Sequence, residues 1–83
     1  MNDPIIVTRV RLYHEARSDD WRWTAYAANN RVVAESGEGY RNFEDALRPA
    51  ASFFPNATMD ADDAPAEITG MNANDAWETW TAQ

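Results

Sequence analysis

Two runs rich in strand-forming residues, residues 21–28 (WRWTAYAA) and residues 31–35 (RVVAE), are separated by nothing but Asn29 and Asn30. Strands joined by two residues turn straight back on each other, so this stretch reads as an antiparallel hairpin. Asparagine tolerates the positive φ that a type I′ turn needs at both central positions, though less readily than glycine. The alternation in the first run assigns faces. Trp21, Trp23, Ala25 and Ala27 share one, and Arg22, Thr24 and Tyr26 share the other. A sheet with one apolar face must be covered, so the hairpin dictates that something packs on the tryptophan side.

A third strand precedes it. Residues 5–13 (IIVTRVRLY) are β-branched and alternate from Val7 onward, with Ile6, Thr8, Val10 and Leu12 on one face and Val7, Arg9, Arg11 and Tyr13 on the other. The polar HEARSDD segment connects it to the hairpin, with Asp19 and Asp20 as turn formers. After residue 36, Gly37 and Gly39 suggest a bulge or a sharp exit with unusual dihedrals. They do not suggest a phosphate loop, because no lysine follows and Glu38 repels phosphate.

The cover is a helix near residues 43–54. Asn42 is a fitting N-cap, and Glu44 and Asp45 suit the first turn of a helix dipole. Phe43, Ala46, Leu47, Ala50, Ala51 and Phe54 recur at helical spacing and form one apolar stripe. Pro49 removes the hydrogen bond to the Asp45 carbonyl, so a kink is expected there. Pro55 and Asn56 end the helix. The fold class is therefore α+β: a three-stranded antiparallel sheet followed by one packed helix, β-β-β-α, in a domain of residues 1–55. Residues 56–83 read as an acidic extension. Within it, residues 56–70 (NATMDADDAPAEITG) look like a linker. Residues 74–80 look like a short helix capped by Asn72 or Asn74, with Ala73, Ala76, Trp77 and Trp80 along one face and a terminal strand as the alternative because Trp and Thr favour strands.

Several of these residues together resemble the YegP-like family of small bacterial domains of unknown function. They are Arg22-Trp23, the Ala27-Ala28-Asn29 step into the hairpin, Ser36-Gly37-Glu38-Gly39-Tyr40 and the helix from Asn42. The resemblance spans about residues 10–54. It implies a β-β-β-α unit, used singly or in tandem, and no catalytic residues. Arg22, Trp23, Ser36, Glu38, Gly39 and Tyr40 match its motif and read as structural.

Charge narrows the functions further. The chain has 14 acids against seven arginines, for a net charge of −7. Residues 1–58 hold all seven arginines and eight acids. Residues 59–83 hold Asp60, Asp62, Asp63, Glu67, Asp75 and Glu78 and no base. Such a tail repels phosphate backbones, so direct nucleic-acid binding is not expected. Trp21 and Trp23 on one face, with Arg9, Arg11 and Arg22, give the best opposing case, but they are more simply the core beneath the helix. With no cysteine and one histidine, thiolate metal sites, disulfides and cysteine nucleophiles are excluded. His14 beside Glu15 has no evident nucleophile to serve. Asp60, Asp62 and Asp63 lack the glycine and the spaced glutamate of a calcium loop. No apolar run approaches a membrane span, and the N-terminal MNDPIIVTRV lacks a signal-peptide pattern, so the cytoplasm is the expected location.

The expected function is a non-catalytic protein-interaction module with no cofactor. Its partner is a protein, bound through the sheet edge or through the acidic tail at Trp77, Trp80, Asp60, Asp62, Asp63, Glu67, Asp75 and Glu78. The alternative is an acidic DNA mimic that inhibits a nucleic-acid-binding protein. A homodimer is also expected, because one helix covers only one face of the sheet. The two tail tryptophans, one helical turn apart, must dock somewhere: on their own domain, on a dimer mate or on a partner.

Overall fold

The computed structural model describes residues 6–61 and 65–82. The elements run β1 (Val7–Glu15), β2 (Asp20–Ala27), β3 (Val32–Glu35), α1 (Phe43–Phe53), β4 (Thr58–Ala61) and α2 (Ala73–Thr81). The β-β-β-α order is present, but the sheet has four strands in the order β3-β2-β1-β4. β2 pairs antiparallel with β1 and β3, whereas β4 pairs parallel with β1. Three antiparallel strands under one packed helix are expected from the sequence; the sheet is instead mixed and has a fourth strand, while the short C-terminal helix is present as α2 and joins the same core. The correction falls in the presumed linker. α1 carries the chain from the β3 side back across the sheet, and the next residues enter beside β1 running in the same direction.

The register puts Val10 beside Ala25 and Met59, and Leu12 beside Trp23. These side chains form the covered face. α1 buries Phe43, Ala46, Leu47, Ala50 and Ala51 from its apolar stripe. α2 adds Ala73 and Ala76, and Ile68 joins the same core from the loop before it. Leu12, Leu47, Met59, Ile68 and Val10 are the largest fully buried side chains. Each contributes at most about 1.5–3 kcal/mol by leaving water. α1 runs through Pro49 as a single helix.

Three local expectations are corrected. Among the described non-glycine residues only Asp19 and Asn30 have positive φ, so the second hairpin is not a type I′ turn on Asn29 and Asn30. The Asn30 N–H donates to the Ala27 carbonyl at 2.9 Å and the Ala27 N–H to the Arg31 carbonyl at 3.0 Å. That is a three-residue loop ending in a left-handed residue, here Asn30 at φ 66°. Next, a register shift between Val7 and Arg9 turns Val7 onto the core, off the face of Arg9. Last, Gly37 and Gly39 have ordinary φ. Gly39 is needed for space, because a Cβ there would collide with the Asp20 carboxylate.

Both helices begin with the same pair of residues. The Asn42 amide donates to the Asp45 carboxylate at 3.2 Å, and the Asn72 amide to that of Asp75 at 3.1 Å. Only Asn72 also caps the backbone, accepting from the Asp75 N–H at 2.8 Å. Residues 73–81 are thus a helix, and the strand alternative falls away.

Candidate functional site

The tail tryptophans are held by their own chain. Trp77 and Trp80 are half-buried against the core, and the Trp80 ring meets Phe43 edge to face at 5.0 Å. The chain of rings continues from Phe43 to Trp21 at 5.0 Å and from Trp21 to His14 at 5.4 Å. His14 ends it with Nε2 2.9 Å from an Asp19 carboxylate oxygen. Of the three possible homes for the tail, the structure shows the first.

Of the acids singled out in the sequence, the described ones, Asp60, Glu67, Asp75 and Glu78, are not gathered in one row. Asp60 lies on β4 and points away from the helices, where its carboxylate accepts from Arg9 Nη1 at 2.9 Å. Asp75 and Glu78 sit on α2, on the opposite side of the sheet. Glu67 is exposed in the turn before α2. Asp62 and Asp63 lie outside the described residues. Among the described residues no three metal-ligating side chains come together.

The face turned from the helices carries Arg9, Arg11, Tyr13, Arg22, Thr24 and Tyr26. It is a layer of charges and rings paired with one another. Arg9 lies 4.0 Å above the Tyr26 ring and Arg11 4.7 Å above that of Tyr13. Arg22 Nε donates to Asp20 at 2.9 Å. This bond lowers the Asp20 pKa below the ordinary carboxylate value and raises that of Arg22. Beneath the layer Thr24 is only 5% exposed. Trp21 and Trp23 face the other way, packed in the core under the helices. Trp23 serves as an apolar wall against Phe53 and Phe54, its Nε1 buried without a hydrogen-bond partner.

The two sheet edges differ. Beyond β4, the Met59 N–H donates to the Met71 carbonyl at 2.7 Å and the Gly70 N–H to the Met59 carbonyl at 2.9 Å. The Ala73 N–H donates to the Ala57 carbonyl at 2.8 Å. That edge is closed. Beyond β3 no strand pairs among the described residues. The Ser36 N–H donates inward to the Trp23 carbonyl at 2.9 Å, so by strand alternation the N–H and carbonyl of Glu35 point outward. A bulge opposite Tyr26 shortens the regular part of this edge. Val32 and Val33 are 55% and 38% exposed along it. With Ala27, Asn29 and Arg31 they line a shallow depression of about 290 Å³.

The other two large exposed hydrophobics, Ile6 and Phe53, lie at the same end of the molecule, where β1 and β3 begin and α1 finishes. They line a second depression with Val7, Phe54 and Pro55. The Val7–Ala27 pair joins the two depressions. The sequence points to a sheet edge without saying which one. That Val32 and Val33 lie on the open edge follows from the strand order, and Phe53 falls outside the helical stripe.

No family model, curated protein or solved structure matches the chain.

Proposed function

We propose that the chain is a non-catalytic protein-interaction module: a β-β-β-α unit of the kind the YegP-like resemblance implies, completed by β4 and α2. Its working surface is the β3 edge, where an extended segment of a protein partner adds to the sheet. The observation that supports this is the contrast between an edge closed by its own chain and an edge left open and apolar at Val32 and Val33. An added strand takes affinity from backbone hydrogen bonds and selectivity from the side-chain depressions beside it. The tail is not the anchor in this reading, because its tryptophans are used in the core. The carboxylate-decoy alternative needs one exposed row of acids, and Asp60 and the α2 acids lie on opposite sides of the sheet.

A photo-cross-linking residue at position 33, and separately at position 78 on α2, tests the reading in cells that make the protein. The expected result is a discrete adduct from position 33 and none from position 78. No adduct at position 33, or equal adducts at both, would overturn it.

A further inference from the structure

The charges along the open edge identify what fits it. Arg31 stands at the start of β3, and Glu35 and then Glu38 stand at its end, all exposed. Between them lie only Val32, Val33, Ala34, Ser36 and Gly37. The edge therefore has a positive beginning and a negative finish. A strand laid parallel with the same polarity would set like charges side by side. The same strand laid antiparallel sets each positive end beside a negative one, and it does so twice. A two-fold axis through the edge generates the antiparallel arrangement from two identical chains.

The charge on the helical side of the molecule argues the same way. A chain with a net charge of −7 repels its own copies wherever acids dominate. The exposed side of the helices, with Glu44, Asp45, Asp75 and Glu78 against Arg48 alone, is such a surface. The β3 edge sets Arg31 against Glu35 and Glu38 and places exposed valines between the opposite charges.

We propose that the occupant of the β3 edge is a second copy of this chain, laid antiparallel so that Arg31 of each copy lies beside Glu35 or Glu38 of the other. The two sheets become one, and the depressions at Val32 and Val33 are covered from both sides. This rests on the edge reading above and adds the identity of the partner.

Light scattering on the full chain, from low micromolar to about 1 mM, reads the assembly. The wild-type mass should rise from 9.4 kDa toward twice that value. Arg31→Glu should weaken the association about tenfold or more, and so should Glu35→Arg combined with Glu38→Arg. An equimolar mixture of the two variants should associate again, because the swapped charges face each other. Thermal melts of each variant confirm that it folds. A dimer unmoved by either variant, or variants that fail to restore each other, would overturn the proposal and point to another surface. A wild-type chain that stays monomeric while position 33 cross-links a different protein would overturn the second copy and leave the edge reading standing. A monomer with no cross-link at position 33 would overturn both.

Discussion

The two outer strands of the sheet, β3 and β4, are four residues long each, and the chain treats them in opposite ways. β4 is sealed. Residues 70–73 run along it and take its outward hydrogen bonds, Met59 is buried beneath it and α2 packs over it. Beyond β3 no strand pairs among the described residues, and its valines are exposed. A small domain gains stability by closing backbone groups and burying apolar surface wherever the chain can reach. Residues 65–82 serve one edge, and among the described residues nothing comparable serves the other. This asymmetry separates a sealed edge from an open one, and substitutions on each side can sharpen the separation or break it.

The largest effect is expected at Met59, which is 1% exposed and holds β4 to the core. Met59→Ala removes a buried side chain and leaves a cavity, at a cost of about 2–5 kcal/mol. Urea denaturation should show the midpoint falling steeply. A loss below about 1 kcal/mol would mean that β4 is not integral to the fold and that the two edges are alike.

The same strand shows where the sequence was legible and where it was not. β1, β2 and α1 declare themselves because each repeats its apolar residues over several turns or pleats. Phe43, Ala46, Leu47 and Ala50 could hardly form anything but a helix face. In β4, TMDA, only one side chain, Met59, is both described and buried, so there is no period to detect. Its partner β1 is also some fifty positions away, and no local propensity encodes a parallel pairing of that separation. Asp60 read as part of an acidic tail because its partner, Arg9, is equally distant in sequence. The open edge was hidden for the same reason. Val32 and Val33 look like any strand residues until the order of the strands is known. The Trp77–Trp80 spacing was legible as one helix face, but what that face covers is a property of the assembled core.

A second, smaller effect belongs to Gly70, which turns the chain back along β4. It sits at φ +91°, where side chains are disfavoured, yet a Cβ built there meets nothing within 4 Å. Gly70→Ala therefore isolates the dihedral cost of sealing the edge, about 1–2 kcal/mol. Hydrogen exchange should locate the loss: the Met59 and Gly70 amides, which donate along this edge, should exchange faster, while those of β2 keep their protection. An unchanged melting temperature would show that the turn is not fixed by its neighbours.

The smallest effect is the most informative, because the comparison requires it to be small. Val32 and Val33 are exposed on the open edge, so Val32→Thr with Val33→Thr removes little buried apolar area and keeps two β-branched residues suited to a strand. Measured where the chain is monomeric, the double variant should unfold within about 0.5 kcal/mol of wild type per site. Dilution matters here, because any assembly through the edge adds its own binding free energy to the apparent stability of the wild type. The variant should melt like wild type at low concentration and fall behind it as concentration rises, since only the wild type gains from covering the valines. A loss of more than about 1.5 kcal/mol at the lowest concentration would show that these valines already serve the monomer's core. β3 would then be as structural as β4, and no free edge would remain to explain.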